Sequence, residues 1–183
     1  LDAAPGYGRQ SCQHRAMHIH REPSPRRRRC HRDTNAVRHP IDALAGIDVR
    51  PADKMLYGVT LSGDVVTIDT ASGAATVKST LSEMLPSYEG AIVDFNPMAD
   101  RLRLMSTDGT NHRVNVDDGM VTVDGSLAFE EADMHAGEAP DIVEASYINS
   151  YGKPESTAMY DIDATIAALI QQISPNDGTL AAI

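Results

Sequence analysis

From Leu44 to the end of the chain, short runs of alternating apolar and polar residues follow one another, each closed by Gly, Pro, Asp or Asn. Alternation with period two sends successive side chains to opposite faces of an extended chain, so the pattern predicts half-buried strands joined by tight turns. One group of four strands is predicted over Ala45–Val49, Met55–Thr60, Val65–Asp69 and Ala74–Lys78. A second covers Ala91–Phe95, Arg101–Ser106, His112–Val116 and Met120–Val123. Pro51 presets a type I turn, and Gly63, Gly73, Gly109 and Gly119 offer the positive φ that hairpin turns require. Leu81–Glu89 reads as a loop or a short helical turn, and 125–141 as a long acidic connection. Ile142–Asn149 and Thr157–Asp163 read as strands, Ile166–Gln172 fits either a helix or a strand, and Pro175–Gly178 is a turn.

The two groups are copies. Gly46–Val77 returns 46 positions later without a gap: Ile47 falls on Val93, Asp48 on Asp94, Pro51 on Pro97, Leu56 on Leu102, Gly63 on Gly109 and Gly73 on Gly119. A period of about 40–50 residues built from short strands is the signature of propeller blades, each burying its faces against its neighbours. The expected fold is all-β: a propeller-like array of four-stranded antiparallel meanders, with repeats at about 44–90, 91–137 and 138–183. In the third, degenerate copy, Thr157–Asp163 is matched to the third strand, Val65–Asp69. Three blades do not close a ring, so the chain is expected to be part of a larger propeller or to have its open edges covered by a partner.

Charge divides the chain. Residues 1–40 hold nine of the 16 bases and three of the 26 acids, leaving the strand-rich part strongly acidic. Such a surface repels nucleic acid and anionic membranes, and favours cations or basic proteins as partners. Residues 1–43 form an irregular basic segment without either periodicity and read as disordered. Three functional or artefactual readings compete there: a basic arm at Arg26–Arg29, a metal set drawn from Cys12, His14, His18, His20, Cys30 and His31, and an out-of-frame translation of a GC-rich gene. The strand-rich part has no cysteine, which excludes a disulfide framework or Cys-based zinc site there. No apolar run approaches the about 18 residues of a membrane span, and no signal peptide is visible.

The repeat sorts candidate site residues. Asp48 and Asp94 recur at one position, as do Asp69, Asn115 and Asp163, and these read as structural turn acids. Non-recurring residues are the better site candidates. Asn111, His112 and Arg113 replace Val65, Val66 and Thr67, while Arg101 and Arg103 enter the neighbouring strand. The connection adds Glu130, Glu131, Asp133, Met134, His135 and Glu138, either a solvated loop or a ligand set for calcium, with Met134 and His135 offering copper softer donors. There is no GxSxG elbow, HExxH or phosphate-cradling glycine loop. No catalytic residue or cofactor is assigned.

In order along the chain, GIDVRPADKMLYGV, VTIDTASGAAT, VDFNPMADRLRLMS, HRVNVDDG, SYINS, MYDID and SPNDGTL resemble the bacterial DUF4394 domain family over roughly Leu44 to Ile183. The resemblance implies a propeller-like domain that works in the periplasm or outside the cell, and it carries no catalytic residues across. The expected function is a non-enzymatic exported binding module, or an accessory subunit of a larger assembly, with a protein partner. The alternative is a metal-dependent hydrolase or redox enzyme with His112, Asp94 and Glu130 around a metal at the ring axis.

Overall fold

The computed structural model describes residues 44–183, so the readings placed on 1–43 lie outside the described residues. Thirteen strands and no helix occur among them: β1 Leu44–Val49, β2 Leu56–Thr60, β3 Asp64–Ile68, β4 Ala75–Thr80, β5 Ile92–Asn96, β6 Arg101–Met105, β7 Asn111–Val114, β8 Val121–Val123, β9 Ala128–Phe129, β10 Ile142–Tyr147, β11 Met159–Asp163, β12 Ala168–Ser174 and β13 Thr179–Ala182. They form three sheets, β1-β2-β3-β4, β5-β6-β7-β8 and β10-β11-β12-β13-β9. The first two are the antiparallel meanders expected of the repeat. Leu81–Glu89 is loop, and Ile166–Gln172 resolves into a turn followed by β12.

The first strands of the sheets pack side by side, β5 lying against both β1 and β10, so the sheets stack as blades around their inner strands. Period two then decides what each face meets. On the second sheet Val93, Leu104 and His112 share one face with Phe95, Leu102 and Val114, and this face packs on Tyr57, Val59 and Val65 of the first sheet. The opposite face carries Ile92 and Met105, which pack with Ile142, Tyr147, Met159, Ile170 and Leu180 of the third sheet. Two apolar seams therefore hold the array together, each a layer of side chains removed from water at about 25 cal/mol per Å² of apolar area.

Two expectations for the third unit need correction. MYDID forms the second strand of its sheet, not the third, because β10 pairs with β11 and β11 with β12. The acidic connection also contributes a strand: β9 runs parallel to β13 and makes the third sheet five-stranded. A two-residue parallel strand has too little pattern to register as a period.

Candidate functional site

Two polar constructions are built on this frame. The first spans the seam between the second and third sheets. Asp94, Arg103 and Arg113 stand opposite one another on β5, β6 and β7, all on the face toward the third sheet. Arg103 is 2% exposed and its guanidinium is fully engaged: Nη1 donates to Asn111 (2.9 Å) and Asp124 (2.6 Å), Nη2 to Asn176 (3.0 Å), and Nε and Nη2 to the Tyr147 hydroxyl (3.4 Å). Arg113 reaches the other Asp124 oxygen at 3.0 Å. Asn111 donates to the Gly125 and Pro175 carbonyls at 3.0 and 2.8 Å, tying β7 to the third sheet. Facing them, Asp161 and Gln172 are fully buried; neither Asp161 oxygen nor Gln172 Oε1 has a hydrogen-bond partner among the described residues.

Asp48 and Asp94 are not turn acids. Both lie within inner strands and reach across to the next blade: Asp48 accepts the Phe95 N–H at 2.8 Å, Asp94 that of Tyr147 at 2.6 Å. The recurring carboxylate is thus a clamp between blades, a role invisible while the strands are read singly. Burial raises the Asp94 pKa to about 7, with the Tyr147 N–H opposing and the neighbouring Asp48 carboxylate adding to the rise. Asp69 does cap a turn, accepting from the Ala71 N–H and the Ser72 hydroxyl. Asp163 likewise accepts from the Asp141, Thr165 and Ile166 amides, at the end of a second strand.

The first seam has its own arginine, which the repeat filter did not single out. Arg50, just after β1, is forked onto Asp100 (Nε 2.8 Å, Nη2 2.7 Å) and Asp117 (3.0 and 3.2 Å), and touches the Tyr57 hydroxyl and Asp53. Its copy in the second repeat is Asn96, and its acids sit in turns of the next sheet, so only the charge mismatch at 50 versus 96 signalled it.

The second construction is an open groove of about 470 Å³ that straddles the same two sheets. One wall is the β6–β7 turn, Thr107–Gly109; the floor is Leu127–Phe129; Gly137–Pro140 closes the far side. Leu127 N–H bonds to Gly109 C=O on the second sheet, whereas Ala128 and Glu130 N–H bond to Gly178 and Leu180 C=O on the third. Asp108 lines the wall and is held below the usual carboxylate range by the Ser106 hydroxyl and Thr110. Glu138 lines the far side, its carboxylate placed to accept from His135 Nδ1 at 3.0 Å, while the His135 ring packs tilted on Phe129 at 5.5 Å.

The structure separates the residues that the enzyme alternative needs together. His112 and Asp94 point from opposite faces of the second sheet, since His112 shares a row with Val93 and Asp94 with Arg103. His112 is enclosed in the seam with the first sheet, where burial lowers its pKa and keeps the ring neutral at pH 7. Glu130 lies along β13, Glu131 and Met134 are exposed, and the Asp133 carboxylate is occupied by the His135 and Ala182 amides. No group of three or more His, Cys, Asp or Glu is placed to hold a metal among the described residues. Among them, too, no helix is long and apolar enough to cross a membrane.

A search of curated proteins returns no match. Among solved structures, a structural-genomics protein of unknown function from Bacteroides thetaiotaomicron is similar at 19% identity and TM-score 0.46, over 70% of this chain and 30% of that one. An auxiliary nutrient binding protein from the same organism is similar at 13% identity and TM-score 0.48, over 75% of this chain and 35% of that one. The chain thus spans about a third of the length of either. The profile of a domain of unknown function, DUF4394, matches residues 26–183, most of the chain and part of its basic segment. The chain belongs to the DUF4394 family.

Proposed function

We propose that this protein is a non-enzymatic, exported binding module that takes a basic, partly apolar segment of a protein partner in the groove between its second and third sheets, as one piece of a larger assembly. The observation that carries this is the groove itself: an apolar lining of exposed Ala128 and Ala139 and half-buried Pro140 beside the buried Leu127 and Phe129, with two carboxylates, Asp108 and Glu138, among its lining. An apolar lining rewards burial of aliphatic side chains, and carboxylates beside it favour cations over anions. The strongly acidic strand-rich part extends that preference outward and speeds encounter with basic partners. Work outside the cytoplasm belongs to the same proposal; a sheet array without cysteine tolerates that oxidising setting.

A defined probe tests it. Titration of the isotopically labelled protein with a short Leu/Lys peptide should shift amide signals at 107–109, 126–129 and 137–140, and a Leu/Glu peptide of equal length should not. Glu138→Lys, at an exposed position, should weaken the Leu/Lys peptide by about tenfold, the worth of one well-placed charge pair. Absence of shifts with either peptide, or shifts confined to other surfaces, would remove the reading.

A further inference from the structure

The seam beneath the groove holds two carboxyl groups whose surroundings do not suit a negative charge. Asp161, on β11, is 0% exposed and both of its oxygens lack hydrogen-bond partners among the described residues. Its diagonal neighbour on β12, Gln172, contributes a third unpartnered oxygen, Oε1. Asp94, on β5, is 6% exposed and abuts Asp48 of β1, so two acids share one site at the inner strands. The charged and titratable groups around them are Asp48 from β1, Arg103 from β6, Arg113 from β7, Asp124 after β8, Tyr147 from β10 and Asp163, two residues on from Asp161 on the same face of β11, whose oxygens accept the Asp141, Thr165 and Ile166 amides. Arg103 is spent on Asp124, Asn111, Asn176 and Tyr147, and Arg113 on Asp124, so neither guanidinium pairs with Asp94 or Asp161.

We propose that the seam is a proton-operated latch: protonated Asp94 and Asp161 let the third sheet close on the second, and loss of these protons loosens that sheet and with it the groove. A neutral Asp161 carboxyl is the one form that can donate toward an acceptor such as Gln172 Oε1, and a neutral Asp94 removes the repulsion from Asp48 while still accepting the Tyr147 N–H. The consequence for ligand rests on the groove reading; the latch itself does not. The groove is exposed to the latch because its walls belong to different sheets, joined at Leu127 N–H to Gly109 C=O on one side and Ala128 N–H to Gly178 C=O on the other.

Burial raises both carboxyls from an ordinary value of 3.8 to about 7, with Arg103 opposing the rise at Asp161. The folded state therefore holds protons that the unfolded chain releases, and stability is greatest below about pH 4 for these two groups and is lost as pH rises through about 7. Each group multiplies the unfolding constant by up to tenfold per pH unit across that window.

The test is denaturant unfolding of the full chain from pH 4 to 8, for wild type, Asp161→Asn and Asp94→Asn. The latch predicts that each substitution removes a share of the pH slope, leaving stability above pH 7 unchanged or improved relative to wild type. Hydrogen exchange at the Tyr147 amide in the wild type should quicken, beyond its intrinsic pH dependence, as pH rises through 7. An unaltered slope in both variants, with Tyr147 exchange following intrinsic chemistry alone, overturns the proposal; should one variant fail to fold, the other and the wild-type exchange still decide. A Leu/Lys peptide that binds more weakly as pH rises in wild type, but not in Asp161→Asn, joins latch to groove. Titrating stability without peptide binding at any pH would retire the groove reading and leave the latch standing.

Discussion

At the scale of single residues, the seams rest on two arginines doing the same work by different means. Arg50 meets two carboxylates with its planar fork, a geometry that lysine, a point charge on a flexible stem, does not reproduce. Removing one member of a buried pair ordinarily costs about 3–5 kcal/mol. Here Asp100 and Asp117 are 39% and 50% exposed and rehydrate once released, which lowers the expected cost. We expect Arg50→Ala to destabilise by about 2 kcal/mol and Arg50→Lys to recover less than half of that, read by urea unfolding; full recovery with lysine would mean that charge alone suffices. The Arg50 guanidinium holds both acids below their usual range, so this part of the stability is present above about pH 4 and is lost as pH falls. Of these groups, Arg103 and Arg113 were legible because each displaced a different residue type in the first repeat. Arg50 left only the charge mismatch with Asn96 in the second repeat, and Asp161 and Gln172 left no sign, since each becomes unusual only when its neighbours across a seam are known.

At the scale of elements, strands and turns were largely legible because both are local: period two fixes the strands and positive φ fixes the glycines. What a turn touches is not local. Gly73 and Gly119 occupy equivalent turns with φ of 70° and 79°, yet a Cβ on Gly73 meets nothing within 4 Å, whereas one on Gly119 would lie 2.0 Å from the Thr80 carbonyl oxygen. Gly73→Ala should therefore cost only the left-handed backbone penalty, about 1–2 kcal/mol, and Gly119→Ala at least about 2 kcal/mol more, because it pushes the second sheet off the first. Equal losses in thermal unfolding would show that backbone strain dominates at both. The third unit was misphased for the same kind of reason: MYDID has the composition of the third strand in the first repeat, and only pairing with β10 assigns it to second place. Lys54 and Asp100, at φ of 62° and 51°, mark a recurring left-handed turn without glycine, so composition gave no sign of it.

For the whole molecule, the repeat implies faces that the array itself does not cover. Ile47 and Val77 share the face of the first sheet turned away from the second, with Val49, Leu56 and Ile68 in the adjoining row; Ile47, Val49 and Val77 are 52%, 49% and 43% exposed. On the far side of the third sheet Ile162 and Leu169 pair across β11 and β12 at 43% and 46% exposure, with Ile173 on the same face. These faces carry the pattern that closes the two internal seams, so they present surface suited to another sheet, while the acidic charge of the strand-rich part opposes contact between copies. The two effects differ in salt dependence, which makes their balance measurable. Light scattering across a dilution series should show self-association that strengthens between about 0.05 and 0.5 M salt, as screening shortens the reach of repulsion from about 14 to 4 Å. Leu169→Glu or Val77→Lys, both at exposed positions, should lower the association constant by about tenfold or more while changing the unfolding free energy by no more than about 0.5 kcal/mol. If mass stays independent of concentration and salt, repulsion governs at every ionic strength tested. If association persists unchanged in both variants, the contact lies elsewhere, and the β4 edge of the first sheet, which has no strand partner on its outer side among the described residues, is the next surface to charge.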